Sequence, residues 1–226
     1  MMIDAKTFTT RAAFVLGCGL LAACGGTTTS MDMDDDGAEQ RAEDAVALIN
    51  RVSGDIDTLQ PGLPAAAISD VPTSGAAVFE GIGALNYYTR TSAGGLTTDT
   101  QVFTFLGDAE LEVTFGATPV DTNITGDVTN IIATDENDTL VDVTGFWTVN
   151  SGRIGTTSSP STVSLSYESE LLAFGRPFNN SGVLRGLLRT GGDGDNGRAL
   201  DAIDRDTPVG SDIEDLFVDI AIVAEN

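Results

Sequence analysis

One cysteine of this chain lies in a context that predicts covalent chemistry. Cys24 follows LLAA in the stretch LLAACGG (20–26), after an apolar run of 12 residues (12–23) that two basic residues precede. This run is shorter than the roughly 20 residues that span a bilayer, and its length and flanks are typical of a signal peptide. Its end resembles the lipobox of bacterial lipoproteins, in which the thiol receives a diacylglycerol and the cleaved amino terminus is acylated. We therefore predict a signal peptide at 1–23 and a bilayer anchor at Cys24, because two or more acyl chains hold stably.

The residue after this cysteine predicts where the protein is attached. Gly25 stands there rather than an aspartate, and by analogy with enteric bacteria this favours the outer membrane. The other cysteine, Cys18, lies in the removed segment, so the mature chain has no thiol free for a disulfide. The alternative interpretation is that Cys24 is an unmodified thiol just after an ordinary signal peptide.

Composition excludes several classes of function. The chain has 34 acidic and 11 basic residues, a formal net charge of −23 and no histidine. Nucleic-acid binding needs a basic face, and none is available. Without histidine, Ser-His-Asp and Cys-His catalysis and His-ligated zinc sites are also excluded. We expect neither an enzyme nor a cofactor, although paired carboxylates for glycoside hydrolysis remain a distant alternative.

A Gly/Asp stretch near the C-terminus could bind calcium. GGDGDNG (191–197) offers hard oxygen ligands from Asp193, Asp195 and Asn196. The stretch departs from the EF-hand pattern at Gly197, and it occurs once, whereas calcium solenoids repeat such motifs. A connection between two strands is the favoured interpretation, and a calcium-dependent binding module is the alternative.

Two pairs of residues are candidates for partner binding. Tyr87 and Tyr88 are adjacent, so they point to opposite faces of a strand, and we expect one of them at the rim or surface. With Arg90 they could form a recognition patch. Arg185 and Arg189 share one strand face and could contact an anion or a carboxylate. The alternative for both arginines is that they offset an acidic surface through exposed ion pairs.

The elements that must position these residues begin with a tether and a helix. Residues 24–37 are mostly polar and acidic, which predicts a flexible lipidated tether. The segment 38–71 is predicted to hold a short amphipathic helix and a Pro/Gly-rich connector. Helical spacing of apolar residues over 38–52 indicates the helix, whose predicted face consists of Ala45, Leu48, Ile49 and Val52.

From Gly75 onward the hydrophobic period changes from helical to two. The stretch DAELEVTF (108–115) alternates apolar and polar residues, as a half-buried antiparallel strand does. We count eight or nine such short strands, and no helix-length apolar pattern interrupts them. The fold class is therefore mainly all-β. We predict an antiparallel up-and-down β-barrel of about eight strands over 72–226, preceded by the one short helix.

Small and large residues along these strands predict how the barrel is filled. Trp147 is the only tryptophan and shares a strand face with Val143 and Val149, which predicts a core position. Glycines in a tight barrel permit strong coiling and close approach of the strand backbones. Those that fall in or beside the strands are Gly75, Gly81, Gly126, Gly145, Gly182 and Gly186.

Two segments resemble a known family. PTSGAAVFEG (72–81) and LEVTFGATPVDTNITGDVTNI (111–131) are similar to the β-barrel domain of transferrin-binding protein B, which factor H-binding protein and many bacterial lipoproteins share. The family pattern is an alternating strand, Phe-Gly, a turn, and then apolar-x-Gly-x-apolar-x-Asn. Phe115-Gly116 and Ile124 to Asn130 match it. The family's C-terminal Phe-Tyr-Gly motif is missing from GVLRGLLRTGGDG, and so are the transferrin-contacting loops of the two-lobed members, so transferrin binding is not expected.

The resemblance implies a protein that binds without catalysis, because family members hold proteins or haem through loops on the barrel rim. We therefore expect a non-catalytic envelope lipoprotein that binds a protein partner or a small solute, such as haem, at the rim. The alternative is a structural or accessory outer-membrane lipoprotein whose barrel is simply filled. An eight-stranded barrel can be packed by its own side chains or hold one small ligand. The decisive feature is whether Trp147 and its neighbours fill the lumen or line a cavity.

Overall fold

The chain forms two compact units, and the boundary between them lies between Gly62 and Leu63. The computed structural model describes residues 35–55, 60–93, 96–137, 139–155, 161–191, 198–209 and 216–226.

The first unit contains the predicted helix. Helix α1 (Asp35–Ser53) is followed by a short antiparallel pair, β1 (Gly54–Asp55) and β2 (Gln60–Pro61). The helix begins at Asp35, inside the stretch predicted as tether, and its last turn holds Arg51, whose positive charge is favourable at a helix C-terminus. In the described part of the chain, no helix has both the length and the apolar character needed to cross a membrane.

The second unit is a closed β-barrel, which confirms the predicted fold class. Among the described residues, eight antiparallel strands form the wall, and the last of them pairs with the first. A further short strand, β6, extends the ladder of β5 beyond the end of β7. The strands are β3 (Ala76–Ala93), β4 (Leu96–Thr114), β5 (Asn123–Asp135), β6 (Leu140–Asp142), β7 (Thr144–Ile154), β8 (Thr162–Ala173), β9 (Arg176–Thr190), β10 (Arg198–Pro208) and β11 (Leu216–Glu225).

A segment before the first barrel strand closes one end of the barrel. We call the end at which β3 begins the lower end, and the segment Leu63–Val71 the strap. The Ala66 N–H donates to the Leu188 carbonyl (2.8 Å), and the Ser161 N–H donates to the Ala66 carbonyl (2.9 Å). Ala66 is fully buried in the barrel core. The barrel unit therefore starts at the strap, earlier than the boundary at residue 72 that the sequence suggested.

Inward-facing side chains fill the lumen. The burial pattern of β8 alternates along its whole length, as the sequence predicted for a strand with one buried face. Trp147 is 1% exposed, which confirms its predicted core position. A single apolar cluster extends from the strap and Phe115 at the lower end to Phe103 and Phe178 at the opposite, upper end. The barrel is packed by its own side chains.

Glycines allow neighbouring strand backbones to approach closely. A Cβ added at Gly186 of β9 would collide with the Asp201 carbonyl oxygen of β10, and one at Gly126 of β5 would collide with the Glu110 carbonyl oxygen of β4. These neighbours are backbone atoms, which cannot move aside without shifting the strand. The predicted role of glycine in coiling the barrel is therefore confirmed at these positions.

Two other glycines make room for aromatic rings. An added Cβ at Gly83 would lie 2.9 Å from Cζ3 of Trp147, so this ring occupies the space that a side chain on β3 would take. At Gly182 an added Cβ would lie 3.2 Å from Cε1 of Tyr167. Small and large residues thus complement each other inside the lumen.

We predict that Gly186→Ala destabilises the barrel by about 1–3 kcal/mol or more, because β9 and β10 must separate to admit the methyl group. Gly182→Ala on the same strand is the matched control, since its methyl group meets a side chain rather than a backbone carbonyl. Urea unfolding of the full chain measures both free energies. Equal losses for the two variants would show that backbone contact is not the constraint.

Candidate binding surface

Aromatic rings close the upper end of the lumen. Phe178 of β9 lies at the centre, and its ring centroid is 4.8 Å from that of Phe105 and 5.1 Å from those of Phe103 and Tyr87. The three contacts are edge-on, the geometry that ring quadrupoles favour. The guanidinium of Arg176 lies above Phe103, with its Cζ 5.8 Å from the ring centroid. The rings pack against one another, so this end is part of the core.

Tyr87 belongs to this core. Its ring is fully buried, and its hydroxyl accepts a hydrogen bond from Nδ2 of Asn180. Burial raises the pKa of Tyr87 to about 12, because the phenolate would lose its hydration, although the Asn180 hydrogen bond acts in the opposite direction. Tyr87 therefore stays protonated and serves packing.

Tyr88 lies on the opposite face of β3, as strand alternation predicts, but it is not exposed. Its ring stacks on Phe217 with centroids 5.8 Å apart, and the Arg90 guanidinium lies over both rings. Arg90 also donates two hydrogen bonds to Asp99, at 2.7 and 3.0 Å. Tyr88 is 5% exposed, so neither tyrosine of the pair presents an exposed ring. The group ties β3 to β4 and β11.

Arg185 and Arg189 share the outer face of β9, but their surroundings differ. Nε and Nη2 of Arg189 donate to the two carboxylate oxygens of Asp201 at 2.9 and 2.8 Å, and Nη1 donates to the Leu63 carbonyl at 2.7 Å. The two paired side chains are only 13% and 8% exposed. Arg189 therefore holds the strap, whereas Arg185 is exposed.

The barrel register reveals a row of acids that sequence reasoning missed. Glu80 of β3 lies directly opposite Glu110 of β4, which lies directly opposite Asp127 of β5. All three side chains are exposed on the outer face. Like charges directly opposite each other destabilise a sheet. The row concentrates negative charge on this side of the barrel. The three acids are far apart in sequence, so their proximity becomes evident only from the strand register.

Exposed apolar residues lie near one another on the outer face of β7, β8 and β9, toward the upper end. Phe146 of β7 and Leu172 of β8 are 41% and 51% exposed. Leu172 pairs directly with Pro177 of β9, which is also exposed, and Phe146 pairs with Glu170, two residues from Leu172. Diagonal neighbours of this kind lie about 7–8 Å apart, within reach of large side chains. We call Phe146, Leu172 and Pro177 the rim patch.

The sequence does carry a signal for the rim patch. The side chains that the sequence pattern places on the inward face are Trp147 and Val149 on β7, and Leu165 and Leu171 on β8. Phe146 and Leu172 are large apolar residues at positions of the opposite parity, where a half-buried strand carries polar side chains. They are exceptions to the alternation, and this is the signal by which the sequence alone marks them.

Two predicted sites lie outside the described residues. These are the lipid attachment at Cys24 and the calcium candidate at Asp193, Asp195 and Asn196. Within the described ranges, no group of three or more cysteine, aspartate or glutamate side chains is arranged to hold a metal ion.

Comparison of the chain with protein-family models, with characterised proteins and with solved structures finds no match. A β-barrel is common to many families, so the resemblance to the transferrin-binding protein B family stays a prediction.

We predict that Arg189→Ala costs about 3–5 kcal/mol of unfolding free energy, because it leaves the Asp201 carboxylate buried without its partner. Arg185→Ala on the same face of the same strand is the control, and a loss within about 0.5 kcal/mol is expected there. Chemical denaturation measures both values. A small loss for Arg189→Ala would contradict a role in holding the strap.

Proposed function

We propose that this chain is a non-catalytic, lipid-anchored envelope protein whose barrel binds a protein partner at the rim patch. The proposal has three parts: a lipid anchor at Cys24, a role without catalysis, and a protein-binding site at the rim patch. The rim patch is the observation that carries it.

The packed lumen supports a partner that binds on the outside. In an eight-stranded barrel the interior holds either side chains or one small ligand. Here Trp147, Tyr87 and Phe178 contact other core residues across the interior. A solute as large as haem would have to displace them. A contact on the outer surface leaves the core intact.

The rim patch has the composition of an interface centre. Fully buried interface centres are enriched in aromatic residues and depleted of charge, and a polar rim surrounds them. Phe146 and Leu172 supply the apolar centre, while Glu170 and Asn179 are exposed beside them. Placing two large apolar side chains in water on a strand face carries a solubility cost, and a bound partner removes that cost.

Charge indicates the chemistry of the partner. The formal net charge of the chain is −23, and Glu170 lies beside the rim patch, directly opposite Phe146. A partner with a basic surface around an apolar anchor is complementary to this arrangement. Association would then be fast at low salt and slower as ionic strength rises.

The runner-up is a structural or accessory lipoprotein without a dedicated partner. The filled lumen favours it as well, since a packed barrel needs no ligand for stability. The two proposals differ in whether the rim patch is occupied in the envelope, which crosslinking can measure.

We predict that a photo-crosslinking amino acid at Leu172, in the full chain expressed in its bacterial envelope, captures one protein. The same probe at Ser181, which is exposed on the outer face of β9, is the matched control and should capture much less. Phe146→Ser should abolish the Leu172 product while lowering stability by no more than about 1–2 kcal/mol, because Phe146 is only partly buried. Equal products at both positions, or none, would favour the structural alternative.

We predict that Cys24→Ala leaves the protein unprocessed or releases it to the soluble fraction. The acylated thiol is the proposed anchor, and the substitution removes the atom that carries the lipid. Membrane fractionation and intact mass measure the outcome. Unchanged mass and unchanged fractionation would refute lipidation, and they would leave the rim patch proposal to be judged by crosslinking.

A further inference from the structure

Three polar groups in the lumen have no protein partner in the described residues. They are the indole nitrogen Nε1 of Trp147, the hydroxyl of Ser169 and the hydroxyl of Tyr167. The residues are 1%, 1% and 2% exposed, respectively. Buried polar groups in folded proteins almost always have a hydrogen-bond partner, so a cluster of three exceptions requires an explanation.

These groups lie on one patch of the lumen wall. Trp147 of β7 is directly paired with Ser169 of β8. Tyr167 is two residues from Ser169 on the same strand and faces inward as well. Ser169 is in turn paired with Asn180 of β9. Directly paired side chains have Cβ atoms about 5 Å apart, so the three side chains enter the lumen from adjacent positions of the wall.

Asn180 does not supply the missing partner. Its side-chain nitrogen donates to the Tyr87 hydroxyl instead. The neighbours along β7 and β8 are apolar, because Val149 lies opposite Tyr167 on β7 and Leu171 follows on β8. The protein therefore provides donors and acceptors at this patch without the groups to match them.

The chemistry of the three groups fits water. An indole N–H only donates, and a hydroxyl both donates and accepts. Water accepts the first and can bond to both of the others, and buried water commonly makes about three such bonds. The Trp147 ring is in close contact at Gly83, and the Tyr167 ring is in close contact at Gly182. A solute larger than water would therefore have to displace these rings from the packed core.

We propose that the barrel lumen contains an internal hydration site at the Trp147–Ser169 pair. Ordered water there accepts a hydrogen bond from Nε1 of Trp147 and bonds to the hydroxyls of Ser169 and Tyr167.

Two polar side chains of β10 lie between this patch and the upper end of the barrel. Asp204 of β10 is half-buried, and its charge contributes, after burial, to raising the pKa of Tyr167 above its usual range. The Thr207 hydroxyl, nearer the end of β10, donates to the Asp204 carboxylate at 2.9 Å.

The chain offers a clean spectroscopic test, because Trp147 is its only tryptophan. The indole N–H of the full chain should show an NOE to water with a sign opposite to that of the ROE, which distinguishes a bound water from proton exchange. A high-resolution crystal structure should place a water within about 3.2 Å of Nε1. A missing NOE, or density for a molecule other than water, would overturn the proposal.

Substitutions give a second measurement. With water present, Ser169→Ala and Tyr167→Phe each lose a hydrogen bond, and the Tm should fall by about 2–4 °C. In a dry lumen the same changes remove an unpaired polar group and should raise the Tm. Ser166→Ala is the matched control, because Ser166 lies on the same strand with its side chain on the outer face, and its Tm should not change.

Discussion

The close approach of neighbouring strand backbones at inward-facing glycines is the constraint on which the rest of this barrel depends. At Gly186 the Asp201 carbonyl occupies the place of a side chain, and Gly126 is in the same position relative to Glu110. Strands that approach and coil this tightly enclose a narrow lumen, which a few large rings can fill. The Trp147 ring lies over Gly83, and the Tyr167 ring lies over Gly182. One set of glycines thus narrows the barrel, and the other set makes room for the rings that fill it.

Two charged features of the barrel lie at its lower end and on its outer surface. At the lower end, the strap is held by backbone hydrogen bonds and by the Leu63 carbonyl, which accepts from Arg189. The Asp201 carboxylate keeps this arginine in place, although a buried ion pair adds little net stability by itself. Its role is geometric, because it fixes the path of the chain into the barrel. On another face, Glu80 and Glu110 are opposed in register, and the ladder stabilises the sheet despite their repulsion.

Local sequence pattern was sufficient for some of these features and not for others. Alternation with period two identified the strands, the core position of Trp147 and the antiparallel barrel, because each depends on neighbours along one strand. Features that depend on register were missed. The opposed acids require knowing which residue of β3 faces which residue of β4. The burial of Tyr88 requires Phe217, which is distant in sequence and adjacent only after β11 closes against β3. Pro/Gly-rich composition predicts a connector at the strap, because composition does not disclose the hydrogen bonds to β9.

Magnitudes decide between a ligand inside the barrel and one outside it. Fully burying a large apolar side chain contributes about 1.5–3 kcal/mol. A solute that displaced the rings of Tyr87, Phe103, Phe105 and Phe178 would therefore forfeit about 6–12 kcal/mol, on the order of the 8 kcal/mol that a micromolar complex yields in total. Water needs no such displacement, since it fits among groups that the core already leaves unpaired. A partner at Phe146 and Leu172 needs none either, and it gains burial of side chains that are 41% and 51% exposed. Under the proposed function, the tight packing of the lumen therefore places the contact with a partner at the outward-facing apolar residues.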